Sequence, residues 1–285
     1  MCTPYFVYFS NTSYTFQMKV AICFFGLTRS LKYTIHNIQT KILEVLSKNN
    51  IGYDIYLHTY SLDVLTNKRS GESNCTLDRN EYKLLESNRH SIQNQDEFDK
   101  TFDVKDYLKH GDPWKDNGQS LRNFIRQLNS LYQVTQLWKC KKSEYSAVIY
   151  LRPDLIYTLL DIKALLECIV CPVKLLIYTP NFHRWRGFND RFAFGSPEAM
   201  IIYGERGNQL HQYSTNLKCH SEEYLKYYLT FHKVVHREME MRGVRVRANG
   251  KKNEKDLQLF LEHEKNKVDN VNRETRVCAR IEPIR

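Results

Sequence analysis

Apolar residues come in short runs and helical stripes, separated by polar turns. Lys19–Phe25 is a nearly unbroken apolar run, the pattern of a strand buried on both faces, and it stops at Gly26. After Thr28-Arg29-Ser30, apolar positions recur at Ile35, Ile38, Ile42, Leu43 and Leu46, which predicts a helix over 33–46. A second strand follows at Tyr53–His58. Strand, helix, strand in this order predicts a parallel pair with the helix as crossover. Residues 61–115 are polar and irregular and give no periodicity. The clearest helix spans Gly118–Trp138, with Leu121, Phe124, Ile125, Leu128, Leu131, Tyr132 and Leu137 on one stripe and Asn117 as expected N-cap.

Further strands are expected at Tyr145–Leu151, Val173–Thr179 and Arg191–Phe194. Pro197 should open a helix toward Tyr203, and Glu222–Phe231 and 256–264 should be helical, with Ser221 capping the former. This alternation predicts an α/β fold with a mostly parallel central sheet flanked by helices. In such sheets ligands sit beyond the carboxyl ends of the strands. Three polar clusters fall at those ends: Gly26–Ser30, His58-Thr59 and Arg152–Asp154. Together they predict one composite site.

The 285 residues suggest one or two domains, and the 42% hydrophobic and 13% aromatic content excludes disordered and collagen-like classes. The expected division is a tail over 1–17, a domain over 18–250 and a charged extension over 251–285 packed on that domain. The first seventeen residues lack the basic start and long apolar stretch of a secretory signal. Either Met18 is the functional start or the leader is a loose tail, and the cytoplasm is the default location. No apolar stretch approaches the ~18 residues of a membrane span.

Formal charge is +10, from 42 Lys and Arg against 32 Asp and Glu. A basic chain favours anionic partners: phosphorylated small molecules, nucleic acid or acidic surfaces. The charge is spread, because the fifty residues from His236 hold 13 Lys and Arg against 9 Asp and Glu. Cys168-Ile-Val-Cys171 lacks the second ligand pair that structural zinc needs and reads as ordinary packing.

Four clusters bear chemistry. Gly26-Leu-Thr28-Arg29-Ser30 joins a tight turn, a helix N-terminus and a guanidinium, a combination suited to phosphate. It lacks the Walker and G-x-G-x-x-G patterns, which disfavours the usual NTPase and NAD readings. Arg152-Pro-Asp154 offers an acid past a buried strand, where Mg²⁺ or Mn²⁺ can be held beside phosphates; alternatively it is an Arg–Asp pair at a strand end. Gly187-Phe188-Asn-Asp190-Arg191 holds a carboxylate for general-base work, with Trp185 and Phe188 as sugar platforms; alternatively it is a plain turn. His220-Ser-Glu222-Glu223 is either a helix start or a second source of a base. Hydrolase, zincin and kinase motifs are absent.

Taken in order, Lys19–Ser30, Tyr56-Leu-His-Thr-Tyr60, Leu151-Arg-Pro-Asp154 and Asn189-Asp-Arg-Phe-Ala-Phe-Gly-Ser-Pro-Glu-Ala-Met200 resemble the glycosyltransferases of large DNA viruses and algae, in particular the chlorovirus xylosyltransferases of capsid glycans. The resemblance spans roughly residues 19–230. It implies a GT-A-like, Rossmann-type fold, a nucleotide-diphosphate sugar donor such as a UDP-sugar, and a glycan acceptor. Gly26, Thr28, Arg29, Ser30, His58, Arg126, Arg152 and Asp154 would bind the donor. Asp154 would hold a divalent cation, Mn²⁺ or Mg²⁺. Asp190, with Glu222 or Glu223 second, would be the base, and Trp185, Phe188 and Arg191 would meet the acceptor. A single acid at 152–154, where the family pattern has two, puts metal dependence in question. Competing readings are a nucleic-acid-binding protein, disfavoured by the lack of a basic-aromatic stripe, and a glycan-binding protein without turnover.

Overall fold

The structure, a computed structural model, describes residues 18–278. The expectations for the 1–17 tail, for a start at Met18 and for 279–285 therefore concern residues wholly or partly outside the described ones.

Strand β1 (Lys19–Phe25) leads into α1 (Leu31–Ile38), which continues through a π turn (Gln39–Leu43) into α2 (Glu44–Lys48) and returns as β2 (Gly52–Ser61). A hairpin β3 (Val64–Asn67) and β4 (Glu72–Thr76), then β5 (Arg89–Asn94) and α3 (Gln95–Asp99), fill the stretch that lacked periodicity. The long α4 (Gln119–Trp138) precedes β6 (Ala147–Leu151), β7 (Leu155–Tyr157) and α5 (Ile162–Val170). The remainder is β8 (Leu176–Pro180), β9 (Phe192–Gly195), α6 (Pro197–Glu205), α7 (Leu210–Ser214), α8 (Ser221–Phe231), β10 (Val235–Met239), β11 (Gly243–Arg245) and α9 (Glu254–Cys278).

Seven strands form the central sheet in the order β10-β8-β9-β6-β1-β2-β5. All neighbours are parallel except β9, which runs antiparallel to both β6 and β8. This is the mostly parallel, helix-flanked α/β sheet expected from the sequence. The strand period of two divides each central strand between two cores. Ala21, Cys23, Phe25, Val148 and Tyr150 pack beneath α4, α6 and α8, whereas Val20, Ile22, Phe24, Ile149 and Leu151 face α1, α2 and α5. Both faces are covered, which is why β1 and β6 read as unbroken apolar runs.

The antiparallel β9 matters for the site. Its amino end, carrying Asp190 and Arg191, lies at the same edge as the carboxyl ends of β1 and β6. A turn through Gly26 (φ +99°) takes the chain from β1 toward α1 at this edge, a backbone conformation that disfavours any side chain. Its N–H donates to Ser130 Oγ at 2.8 Å.

Two expected caps differ. Asn117 does not cap α4: Asn117 and Gly118 both have positive φ, and acids just upstream serve instead. Asp112 Oδ2 accepts the Gly118 N–H at 2.9 Å, and Asp116 Oδ1 accepts the Ser120 N–H at 3.1 Å. Ser221 is the first residue of α8, and its hydroxyl turns to the Glu222 carboxylate. Cys168 and Cys171 are free thiols, the former buried, in keeping with ordinary packing.

Ser130 is a fully buried junction of β1, β2 and α4. Its Oγ accepts from Gly26, meets His58 Nδ1 at 2.8 Å and donates to the His58 carbonyl at 3.1 Å. Ser130→Ala removes a partner from the Gly26 N–H, from His58 Nδ1 and from the His58 carbonyl, so a loss of about 1–3 kcal/mol is expected in denaturant unfolding. A loss within experimental error would show that the junction does not hold this edge.

Candidate active site

A cleft of about 660 Å³ opens at the edge where β1 and β6 end and β9 begins. Eight Lys and Arg side chains line it against three acids, Asp154, Asp190 and Glu222. Four of these cations are paired with acids behind the lining, Arg29 with Glu72, Arg69 with Asp116, Arg126 with Asp99 and Arg245 with Asp256. The cations come from every wall: Arg29 after β1, Arg152 after β6, Arg126 on α4, Arg191 before β9, and Arg245 and Arg247 around the end of β11.

One end is built on buried carboxylates. Arg29 places Nη2 3.0 Å from Asp154 Oδ2 and Nη1 3.0 Å from Glu72 Oε2. Arg152 closes on Asp154 with a two-point fork, Nε to Oδ1 at 2.8 Å and Nη2 to Oδ2 at 2.7 Å. Burial would raise the Asp154 pKa, but Arg152 and Arg29 outweigh it and hold the carboxyl well below the usual range. Glu72 also accepts the Ala248 N–H at 2.9 Å, and the Val246 N–H donates to the Asp154 carbonyl at 2.9 Å. The segment after β11 is thereby fastened across the cleft floor.

A second buried acid, Asp256 at the start of α9, holds another wall. It accepts Arg245 Nε at 2.6 Å, Arg245 Nη2 at 3.0 Å and His183 Nε2 at 2.9 Å. His183 anchors the segment carrying Trp185, where His183, Trp185 and Arg186 all have positive φ. Trp185 is exposed at the cleft mouth and stacks on the His183 ring.

The other end of the cleft holds Asp190 and Glu222, both buried. Gln127 Nε2 donates to Asp190 Oδ2 at 2.9 Å and to its carbonyl at 3.2 Å. Asn189 fixes the turn, donating to the Phe182 carbonyl at 2.8 Å and accepting the Arg191 N–H at 3.0 Å. Gly187 lets this turn sit on α8: a Cβ there would lie 1.8 Å from the Glu222 carbonyl oxygen, and Phe188 N–H donates to that oxygen at 3.1 Å. Burial, with the neighbouring Asp190 carboxylate, pushes the Glu222 carboxyl up to about 8. This end therefore holds a carboxyl on which burial favours the proton, beside an Asp190 side chain fixed by an amide.

Of the residues singled out in the sequence, nine line this cleft: Gly26, Arg29, Arg126, Arg152, Asp154, Trp185, Asp190, Arg191 and Glu222. Five lie elsewhere. His58 is fully buried against Ser130, and burial lowers its pKa to about 4, so it is a neutral core residue and not a donor contact. Thr28 is buried in the turn, and Ser30 spends its hydroxyl on the Val246 carbonyl at 3.0 Å. Phe188 stacks on His236 at 3.6 Å between ring centroids and offers no platform to the cleft. Glu223 pairs with Arg186 at 2.6 Å beside a separate surface groove. Arg126 lines the cleft but is held by a fork from Asp99.

Arg245, Arg247, Lys255 and Gln127 were not singled out. The first three lie in a part of the chain whose charges look like solvated surface. Gln127 lies on the polar face of a helix read only for its apolar stripe.

The divalent cation implied for Asp154 does not fit these residues. Both carboxylate oxygens are occupied by guanidinium N–H groups, and the side chain is 3% exposed. Among the described residues no group of three or more His, Cys, Asp or Glu side chains is arranged to hold a metal.

No family model and no curated protein matches the sequence. The chain is similar to a number of solved structures at low identity, including three glycosyltransferases. Mouse xyloside xylosyltransferase 1, in its apo form, is 12% identical over 78% of this chain and 84% of that one, with a TM-score of 0.38. The galactosyltransferase LgtC, in complex with donor and acceptor sugar analogues, is 8% identical over 77% and 73%, with a TM-score of 0.38. A glycosyltransferase involved in glycosylation of the major capsid of PBCV-1 is 11% identical over 78% and 82%, with a TM-score of 0.37.

The Glu222 shift has a thermodynamic consequence. The unfolded chain releases this proton near pH 4.5 and the folded one only near 8. Between those values the unfolded state binds fewer protons, so the stability contributed by Glu222 falls as pH rises and is lost above about 8. Glu222→Gln mimics the protonated form and removes this dependence. The wild-type melting temperature should drop relative to E222Q by at least ~2–4 °C between pH 5 and 8.5, the shift of about 1 kcal/mol in a chain of this size. Parallel pH profiles would show that Glu222 is ionised in the folded protein.

Proposed function

We propose that the protein is a glycosyltransferase that moves a sugar from a nucleotide-diphosphate donor to a glycan hydroxyl. The observation that carries this reading is the joining, in one cleft, of a cationic end and a buried carboxyl pair. The motifs at 19–30, 151–154 and 189–200, which resemble viral and algal glycosyltransferases, supply walls of that same cleft. A nucleotide sugar has the matching polarity, with two phosphates at one end and a neutral sugar at the other. Guanidinium groups at the first end would stabilise charge as it develops on the departing diphosphate.

In this reading the acceptor oxygen bonds to the anomeric carbon while the bond from that carbon to the phosphate oxygen breaks. The bonding pair leaves with the nucleoside diphosphate, and Asp190 takes the hydroxyl proton. Gln127 holds Asp190 in place, and protonated Glu222 supplies a neutral neighbour that does not compete for the proton. Trp185, at the mouth, meets the acceptor, and Arg191 lines the wall beside Asp190. The same resemblance points to a UDP-linked pentose, xylose first, as donor, and to a capsid glycan as acceptor. Among the described residues no helix is long and apolar enough to cross a membrane.

The test is release of nucleoside diphosphate from UDP-xylose, UDP-glucose and UDP-galactose, with and without glycan acceptors. One donor should turn over. Asp190→Asn keeps an oxygen for Gln127 but has little basicity, so turnover should fall by about 10²–10⁴ while donor affinity is retained. An absence of release from these and from GDP- and CDP-sugars, in a protein that still binds glycan, would leave a lectin-like binder instead.

A further inference from the structure

We infer that Arg29, Arg152 and Arg247 form a metal-free diphosphate site, in which Asp154 positions guanidinium groups and is not a ligand for a divalent cation. This rests on the transferase reading for the identity of the diphosphate, but its geometry stands apart from any turnover.

The first argument is saturation. Asp154 Oδ1 accepts Arg152 Nε, and Oδ2 accepts both Arg152 Nη2 and Arg29 Nη2. Glu72, the nearest alternative acid, gives Oε1 to the Ala248 N–H and Oε2 to Arg29 and Ser70. Mg²⁺ and Mn²⁺ are held by oxygen atoms free to approach closely. Here each candidate oxygen already carries an N–H donor, and a cation entering would meet guanidinium groups first.

The second argument is surplus charge. Arg29, Arg152 and Arg247 surround two carboxylates, and Arg29 and Arg152 consume both. Arg247 makes no side-chain hydrogen bond and no close ion pair among the described residues. Burial, reinforced by repulsion from Arg29 and Arg245, lowers its pKa to about 10. Glu72 and Asp154 favour its charge from a distance, but their oxygens are taken by other donors, so Arg247 is left without a directly bonded anion.

The third argument is an open donor. The Arg29 side chain is 8% exposed, lines the cleft, and leaves its Nε–H without a partner. Buried donors are rarely left unpaired, and an oxyanion in the cleft would satisfy this one.

The Arg247 position is also built. Its N–H donates to the Lys251 carbonyl at 2.9 Å, and its carbonyl accepts the Gly250 N–H at 2.8 Å in a tight hairpin. The residues on either side of it, Val246 and Ala248, bond to Asp154 and Glu72. The same two acids therefore hold the arginines on one side and the Arg247 hairpin on the other.

Calorimetric titration of the full chain with UDP and with inorganic pyrophosphate, in EDTA and again with Mn²⁺, tests this. Both ligands should bind in EDTA with affinities that Mn²⁺ does not raise. Arg247→Ala should weaken both by about tenfold or more, and Arg247→Lys should recover part of the loss. Arg247 has no partner to orphan, so the variant should melt with the wild type, which separates lost affinity from lost fold. Pyrophosphate binding only when Mn²⁺ is present, no binding in either condition, or R247A affinity equal to wild type would each overturn the inference. Metal-free, Arg247-dependent binding without sugar turnover would uphold it and overturn the transferase reading.

Discussion

The cleft depends on one buried guanidinium, that of Arg29, which bridges Glu72 and Asp154 at 3.0 Å each. Neither acid is tolerable alone in its position, since an unpaired buried charge costs several kcal/mol. The bridge couples three segments distant in sequence: the turn after β1, the β3–β4 hairpin and the turn after β6. The acids in turn accept backbone N–H groups from the Arg247 hairpin or lie directly beside its anchor. Removing Arg29 would thus leave Glu72 without its guanidinium and Asp154 with Arg152 alone, and loosen the C-terminal hairpin. Asp256 repeats the device on the opposite wall, tying Arg245 to the Trp185 segment through His183. Carboxylates act here as internal counterions that present arginines to a cavity.

This arrangement explains which parts of the molecule were legible in the sequence. The sheet was, because its central strands are covered on both faces and so appear as bare apolar runs. The polar turns at their carboxyl ends were legible for the same reason: they interrupt those runs. Asp190 was found through its turn, although the antiparallel direction of β9, which brings it to the shared edge, leaves no mark in four residues. His58 misled. It follows a strand in the expected way, yet β2 continues to Ser61, and the ring turns inward to a serine on α4.

What was hidden has a common cause. Glu72, Asp256, Arg245 and Arg247 are charged residues in polar surroundings, and a local pattern assigns such residues to solvent. Their burial arises only from pairing across more than a hundred positions in the case of Glu72 with Ala248, or from a hairpin folding back on α9 in the case of Asp256 with Arg245. Ion pairing of this kind has no periodicity. The start of α9 was legible, but its length to Cys278 was not, because the sequence after Glu264 is dominated by charged and polar residues and offers only a thin apolar stripe.

The two ends of the cleft handle buried acids in opposite ways, and the contrast bears on chemistry. Asp154 is surrounded by guanidinium groups and stays ionised far below the usual carboxylate range. Glu222 lies beside another carboxylate with no bidentate arginine of its own, and there burial wins and the proton stays on to about pH 8. Burial lowers the Arg191 pKa against the pull of Asp190, Asp256 and Glu222 together, and the nearest Asp256 oxygen is 3.9 Å from its Nη1. That nitrogen has no hydrogen-bond partner. Asp256 thus fixes Arg245 on the cleft wall and shares the charge of Arg191 with Asp190 and Glu222. The two ends therefore differ in their direct partners: two guanidinium groups close on Asp154, whereas none makes a hydrogen bond or close ion pair with Glu222 among the described residues.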